Sequence, residues 1–263
     1  MAAEVCDRLY CLTLGHERIP AALAFERTGG DGVLRLPFTS ILARSPDGWF
    51  LWDTGLAESI GRDPAAWGRF WQWGAPELPG DGDPLLEALE MCGVGVTDLA
   101  GALVSHLHVD HTGGLRHLAG GPAVVVHRAE LEYALEEATE AQGYWRPDYD
   151  DPAIRWQPVD GDCRIAAGIH AIATPGHAPG HLSFRVDLAE SGSWLFAFDA
   201  IPLQENVERD DPIAAGSRPG DAPLRRASHD RLVALARDSG ARLVPGHCPD
   251  TWATLVAPPD CYR

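Results

Sequence analysis

Four residues within six positions, His106, His108, Asp110 and His111, set the chemistry open to this chain. Three imidazoles and a carboxylate offer nitrogen and oxygen lone pairs that suit a borderline divalent cation such as zinc. Packing supplies no reason to gather them, because unpaired polar groups are costly to bury. A bound metal does. Three later positions repeat the theme singly: His177 in Thr174-Pro175-Gly176-His177, Asp199 after an apolar run, and His247 in Pro245-Gly246-His247. Each alone reads most simply as a hydrogen-bonded structural residue. As a set, five imidazoles and two carboxylates match two divalent cations.

The elements that must position these groups are short and apolar. Ala102-Leu103-Val104 reads as a buried strand that delivers the His/Asp cluster, with Thr112-Gly113-Gly114 as a turn into a helix. Strands are also expected at 5–14 and 33–43, and Ser45-Pro46-Asp47-Gly48 turns the second into a hairpin partner at 49–52. That partner ends on Asp53-Thr54-Gly55, which on its own is an ordinary capping turn. Further strands are expected at 123–127, within 165–173 as a pair, at 182–187, 194–198 and 241–244, with helices over 84–92, 128–138 and 224–238. The stretch 203–223 reads as irregular, and no internal repeat is evident.

Two segments stand apart. Residues 57–84 carry Trp67, Phe70, Trp71 and Trp73 among Gly and Pro, and 142–162 carry Tyr144 and Tyr149 with little periodicity. The first serves equally as core-covering aromatics or as a lid, the second reads as a surface insertion, both are expected to wall the pocket, and Trp67, Phe70, Trp71, Trp73, Tyr144 and Tyr149 are the candidate substrate contacts. They suggest a small-molecule substrate with an apolar or aromatic portion.

The 263 residues, 45% apolar, suffice for one large core, so a single domain spanning 1–263 is expected, with 57–84 and 142–162 as its lids. A net charge of −17 without a basic cluster argues against nucleic acid. No apolar run reaches the roughly 18 residues of a membrane span, and the first residues lack a signal-peptide pattern. Six dispersed cysteines without a CxxC pair fit neither a zinc ribbon nor a disulfide framework, so a cytoplasmic enzyme is expected. Monomer and homodimer are both left open.

His106-Leu107-His108-Val109-Asp110-His111 resembles the HxHxDH motif of the metallo-β-lactamase fold superfamily. Asp53-Thr54-Gly55, Thr174-Pro175-Gly176-His177, Asp199 and Gly246-His247 follow in that superfamily's order and cover nearly the full length. Within it, the pattern is most similar to the N-acyl homoserine lactone hydrolases and their pyridoxolactonase-like relatives. The resemblance implies an α/β, four-layer αββα fold, two packed mixed β-sheets with helices outside. It also implies that His106, His108 and His177 bind one metal, that Asp110, His111 and His247 bind another, and that Asp199 bridges both with a hydroxide. Zn2+ is the expected ion, with Fe, Mn or Co as substitutes. Asp53 would orient a ligand from outside the coordination sphere, and His181 would pack or hydrogen-bond there. His16, His117, His127, His170 and His229 have no place in this scheme.

The implied reaction is attack of the bridging hydroxide on a lactone or related ester carbonyl, with Asp110 carrying the proton to the leaving alkoxide. The alternatives are thioester hydrolysis of the glyoxalase II type and an iron-dependent redox or lyase member of the same fold. One position departs from the lactonases. They carry a tyrosine three residues after the bridging aspartate, where this chain has Pro202. That leaves the metal chemistry intact and weighs against acyl homoserine lactone as the substrate.

Overall fold

The computed structural model describes residues 4–70 and 74–263. Among the described residues eleven strands form two sheets. The first runs β1 (Arg8–Pro20), β2 (Val33–Ser45), β3 (Gly48–Trp52), β4 (Leu99–Leu103), β5 (Ala123–His127) and β6 (Arg155–Val159), in that spatial order. The second is ordered β11 (Arg242–Pro245), β10 (Gly192–Phe198), β9 (Leu182–Leu188), β8 (Ile169–Ala173) and β7 (Cys163–Ala166). Both are mixed: β3 to β6 pair in parallel while β1 to β3 are antiparallel, and β11 is parallel to β10 in an otherwise antiparallel sheet.

Strand alternation sorts the core into layers. In β1, Leu9 and Cys11 face the inter-sheet core, where they join Ile41, Trp52, Leu103, Phe184, Phe196 and Val244. Tyr10, Leu12 and Leu14 face the other way, toward a cluster that includes Leu85 and Leu89 of the helix Pro84–Met91. Leu195 and Ala197 of β10 likewise turn outward to Leu232 on the helix Ala222–Ser239. Both faces of each sheet are therefore buried, which is why the strands read as apolar runs without polar alternation. The result is the expected helix–sheet–sheet–helix sandwich. Truncating an inter-sheet aromatic such as Phe184, edge-on to Trp52 at 6.1 Å, removes ~3–5 kcal/mol.

Three segments differ from the sequence reading. Strand β1 does not stop at 14; it passes a bulge between Thr13 and Gly15 and continues to Pro20. Gly15 has φ +141°, and the charged run His-Glu-Arg behind it hides a strand. The 142–162 stretch contains β6, whose Pro158 suits an edge strand that has no neighbour on one side. The His/Asp cluster turns into a helix before its glycines, at Val109–Thr112, so Asp110 and His111 sit on one helical turn.

Candidate metal centre

All seven expected ligands come together at the ends of strands along one edge of the sandwich. The β4 end carries His106 and His108, and the helical turn after it carries Asp110 and His111. His177 follows β8, Asp199 follows β10 and His247 follows β11. Local backbone strain aims the last two. Phe198 holds φ +47° at a register shift of β10, an unfavourable conformation for a bulky residue. Gly246 packs against it, and a Cβ there would lie 2.5 Å from the Phe198 carbonyl carbon.

Two groups of donor atoms, His106/His108/His177 and Asp110/His111/His247, each span no more than 4.8 Å, and a third group of that span joins His181 to His106 and Asp199. In the first, His106 Nε2 and His177 Nε2 each lie 3.0 Å from His108 Nδ1. Asp199 stands between the groups. Its Oδ1 is 2.8 Å from His247 Nε2 and 3.3 Å from His111 Nε2, and its Oδ2 is 3.3 Å from His177 Nε2. One carboxylate thus presents one oxygen to each triad.

The outward side of each imidazole is already occupied. His111 Nδ1 donates to Asp53 Oδ2 at 2.7 Å, and His247 Nδ1 donates to the Pro37 carbonyl at 2.8 Å. His177 Nδ1 donates to the Ala215 carbonyl at 3.2 Å. His106 Nδ1 meets Ser105 Oγ at 2.9 Å, and that hydroxyl donates to Asp53 Oδ2. These bonds fix the ring orientations and turn the second nitrogen of each ring inward, as metal sites require. Asp53 is fully buried and also accepts from the Ser105 amide, so it holds two ligands in place at once.

The electrostatics fit two cations. Burial and the neighbouring imidazoles push His108 down to about 3 and His106 well below its ordinary value, which leaves them neutral donors. Burial opposes protonation of His111 and His247 too, but the carboxylates outweigh it. Asp110, Asp53 and Asp199 hold His111 well above its usual value, and Asp199 raises His247 to about 9. That half of the site demands positive charge. His111 Nε2 lies 3.1 Å from Asp110 yet in hydrogen-bonding geometry with no group. A divalent cation supplies both the charge and the missing partner.

A cavity of about 350 Å3 opens onto this cluster. His108, Asp110, His177, Asp199 and His247 line its floor, and Ile19, Leu23, Leu36, Ile213 and Pro202 are among its apolar walls. The aromatic candidates among the described residues fall elsewhere. Tyr144 packs edge-on against His108 at 4.6 Å, and its hydroxyl is taken up by Glu130 and Ser217. Tyr149 is in the core and donates to the Ala134 carbonyl. Neither lines the cavity; closing the apolar interior behind the ligands outcompetes a solvent-facing role. Trp67 is buried with its indole nitrogen on the Gly74 carbonyl, and Phe70 packs edge-on to Trp145. Trp71 and Trp73 lie outside the described residues.

His181 sits behind His106, ring centres 5.2 Å apart, with Nδ1 on Thr174 Oγ1. The sequence reading missed Glu130, a fully buried carboxylate on the helix Arg128–Glu136. It accepts from the amides of Leu107 and Gly180 and so ties the two ligand loops of the first triad together. Its signal is faint, one acidic residue in an ordinary helical pattern. Glu17 and the 213–216 wall were missed too.

Residues 35–247 match the Metallo-beta-lactamase superfamily. The chain belongs to the metallo-beta-lactamase superfamily. Over 97% of its length it is 30% identical to the N-acyl homoserine lactonase AttM of Azorhizobium caulinodans, of which 98% is covered. It is 29% identical to the N-acyl homoserine lactonase AiiA of Bacillus thuringiensis subsp. kurstaki, over 89% of this chain and 88% of that one. Among solved structures it resembles an N-acyl homoserine lactone hydrolase with the product N-hexanoyl-L-homoserine at the catalytic metal centre. The TM-score there is 0.87, with 26% identity over 98% of this chain and all of that one. As a metallo-beta-lactamase-fold enzyme of this kind, the chain is a metal-dependent hydrolase acting on ester bonds. Among the described residues no helix is long and apolar enough to cross a membrane.

Proposed function

We propose that this chain opens a lactone ring with two divalent metal ions, Zn2+ foremost, held by His106, His108 and His177 on one side and Asp110, His111 and His247 on the other. The observation that carries the reading is Asp199, whose two oxygens address one triad each. When bound there, two such cations lower the pKa of a shared water toward neutrality and polarise the ester carbonyl. The protein residues do the rest. Asp53, Pro37 and Ala215 hold the imidazoles rigidly, so little reorganisation is needed as charge develops on the carbonyl oxygen. Asp110, which lines the cavity, takes the proton of the attacking water and hands it to the leaving alkoxide.

The relatives named above act on N-acyl homoserine lactones, and the apolar cavity wall suits a substrate with a short apolar arm. The complete second triad disfavours the single-iron members of the fold. All six cysteines are free thiols, which supports a reducing, cytoplasmic setting. The test is a metal-replete activity screen over acyl homoserine lactones, simple γ-lactones, aromatic lactones and thioesters. Ring opening lost on EDTA treatment and restored by zinc, cobalt or manganese is expected. Inertness across the lactones, or hydrolysis of thioesters alone, overturns the reading.

A further inference from the structure

Glu17 is an anomaly in an otherwise apolar wall. It lies in the part of β1 beyond the bulge, and strand alternation puts it on the same face as Ile19. Both line the cavity, as does Leu36, the residue paired with Glu17 across β1 and β2. The next carbonyl along β2, that of Pro37, is the one that anchors His247. The Glu17 carboxyl therefore sits on the cavity wall close to the metal floor. It is 93% buried by a relative exposure of 7%, and its Oε2 has no hydrogen-bond partner.

Such a group is normally paired, because an unsatisfied buried acceptor is costly. Two partners within the protein are ruled out by geometry. Glu17 belongs to none of the ligand clusters among the described residues, so it does not complete either metal triad. Nor, among the described residues, does a side-chain donor that lines the cavity remain free for it. Gln142 Nε2 is spent on Tyr133 Oη and the Ser217 carbonyl, and the outward nitrogens of His108, His177 and His247 are spent on Ser217, Ala215 and Pro37.

We propose that Glu17 is a specificity-determining residue that accepts a hydrogen bond from an N–H group of the substrate. The preferred substrate accordingly carries an N–H donor, amide or ammonium, beside the lactone ring. One carboxyl oxygen accepts whether or not the other is protonated. This inference rests on the lactonase reading above and adds a requirement to it.

The test compares an N-acyl homoserine lactone with its N-methyl twin, which keeps the shape and removes the N–H. Metal-loaded wild type is expected to favour the N–H form by roughly 10-fold or more in kcat/KM, chiefly through KM, the size of leaving a buried acceptor unpaired. Glu17→Leu is expected to bring the two within about 2-fold while Glu17→Gln, which keeps an acceptor oxygen, retains part of the preference. The free amine, homoserine lactone, separates the sources: a larger loss in Glu17→Leu than for the amide assigns an ammonium. Calorimetric titration with the matching 2-acylaminocyclopentanones, with and without N-methyl, reads the same discrimination without turnover. Equal discrimination in wild type and Glu17→Leu, with metal content and melting temperature unchanged, overturns the assignment of Glu17. Wild type that opens neither lactone overturns the lactonase reading, and the cyclopentanone titration then decides Glu17 separately.

Discussion

The ligand cage and the aromatic segment beside it use polar ring side chains to opposite ends. In the cage, every imidazole has its outward nitrogen bonded and its second nitrogen turned inward onto another cage residue, and His111 Nε2 has no hydrogen-bond partner, so the interior polarity is unfinished. In 142–162, Tyr144 and Tyr149 have their hydroxyls fully engaged, on Glu130, Ser217 and Ala134, and their rings closed into the core. The first region therefore holds capacity for a ligand; the two tyrosines of the second are scaffold. The difference teaches that aromatic density near a site does not mark the substrate surface. An unfinished hydrogen-bond inventory does.

Asp199→Ala attacks the cage at its centre and carries the largest expected effect. Outer partners of metal ligands typically cost 10–100-fold when removed. A carboxylate shared by both triads is expected to cost more, at least about 10³-fold in kcat/KM. Metal content by elemental analysis should fall from two ions per chain. Unchanged stoichiometry would mean that Asp199 does not bridge. Melting of the metal-free protein should fall as well, because Asp199 is the buried partner that holds His247 charged.

Asp53→Asn probes the border between the two regions, where function and stability should fall together. Asp53 Oδ1 accepts from the Ser105 amide, and Oδ2 accepts from Ser105 Oγ and His111 Nδ1. Asparagine tolerates the φ of +49° at this position, so the backbone survives. Its amide nitrogen, however, turns one acceptor into a donor that faces donors. Zinc affinity, measured against a competing chelator, is expected to drop by roughly 10–100-fold. Urea denaturation of the metal-free protein should show ~1–3 kcal/mol of lost stability. A loss in only one of the two readouts would separate what the geometry joins.

The cage was legible in the sequence because ligand chemistry restricts residue type. His106, His108, Asp110, His111, His177, Asp199 and His247 are strong donors at strand ends, and the structure gathers all of them. The layered sandwich was legible for a related reason, since strands buried on both faces announce themselves as apolar runs. The cavity wall was not. Glu17 follows a bulge that breaks the alternation of β1, and Ile213 to Gly216 belong to no regular element. Their roles arise from long-range packing, and nothing local encodes it. The same holds for β6, whose Pro158 and flanking polar residues read as loop until the parallel pairing with β5 is seen.

Asp148 carries the smallest effect and places 142–162 on the structural side of the comparison. Thr112 has one hydroxyl proton and two oxygen neighbours, the His108 carbonyl at 3.2 Å and Asp148 Oδ2 at 3.1 Å. That single proton is shared between the two acceptors, so Thr112 only partly stabilises the ionised form of Asp148. Burial, opposed by the Thr112 bond and the charge of Arg116, pushes this carboxyl up to about 7. An unfolded aspartate titrates near ~3.9. Between about pH 4 and 7 the folded chain thus keeps a proton that the unfolded chain releases, and stability falls as pH rises through that window. Asp148→Asn removes the titration while keeping an acceptor oxygen for Thr112. Its melting temperature should fall less than that of wild type between pH 5 and 8, by a few degrees. The metal-loaded pH–rate profile should stay where it was, because Asp148 touches Thr112 and no ligand. A displaced profile would move this segment from scaffold into the chemistry; identical pH slopes in the two proteins would show that Asp148 is ionised when folded.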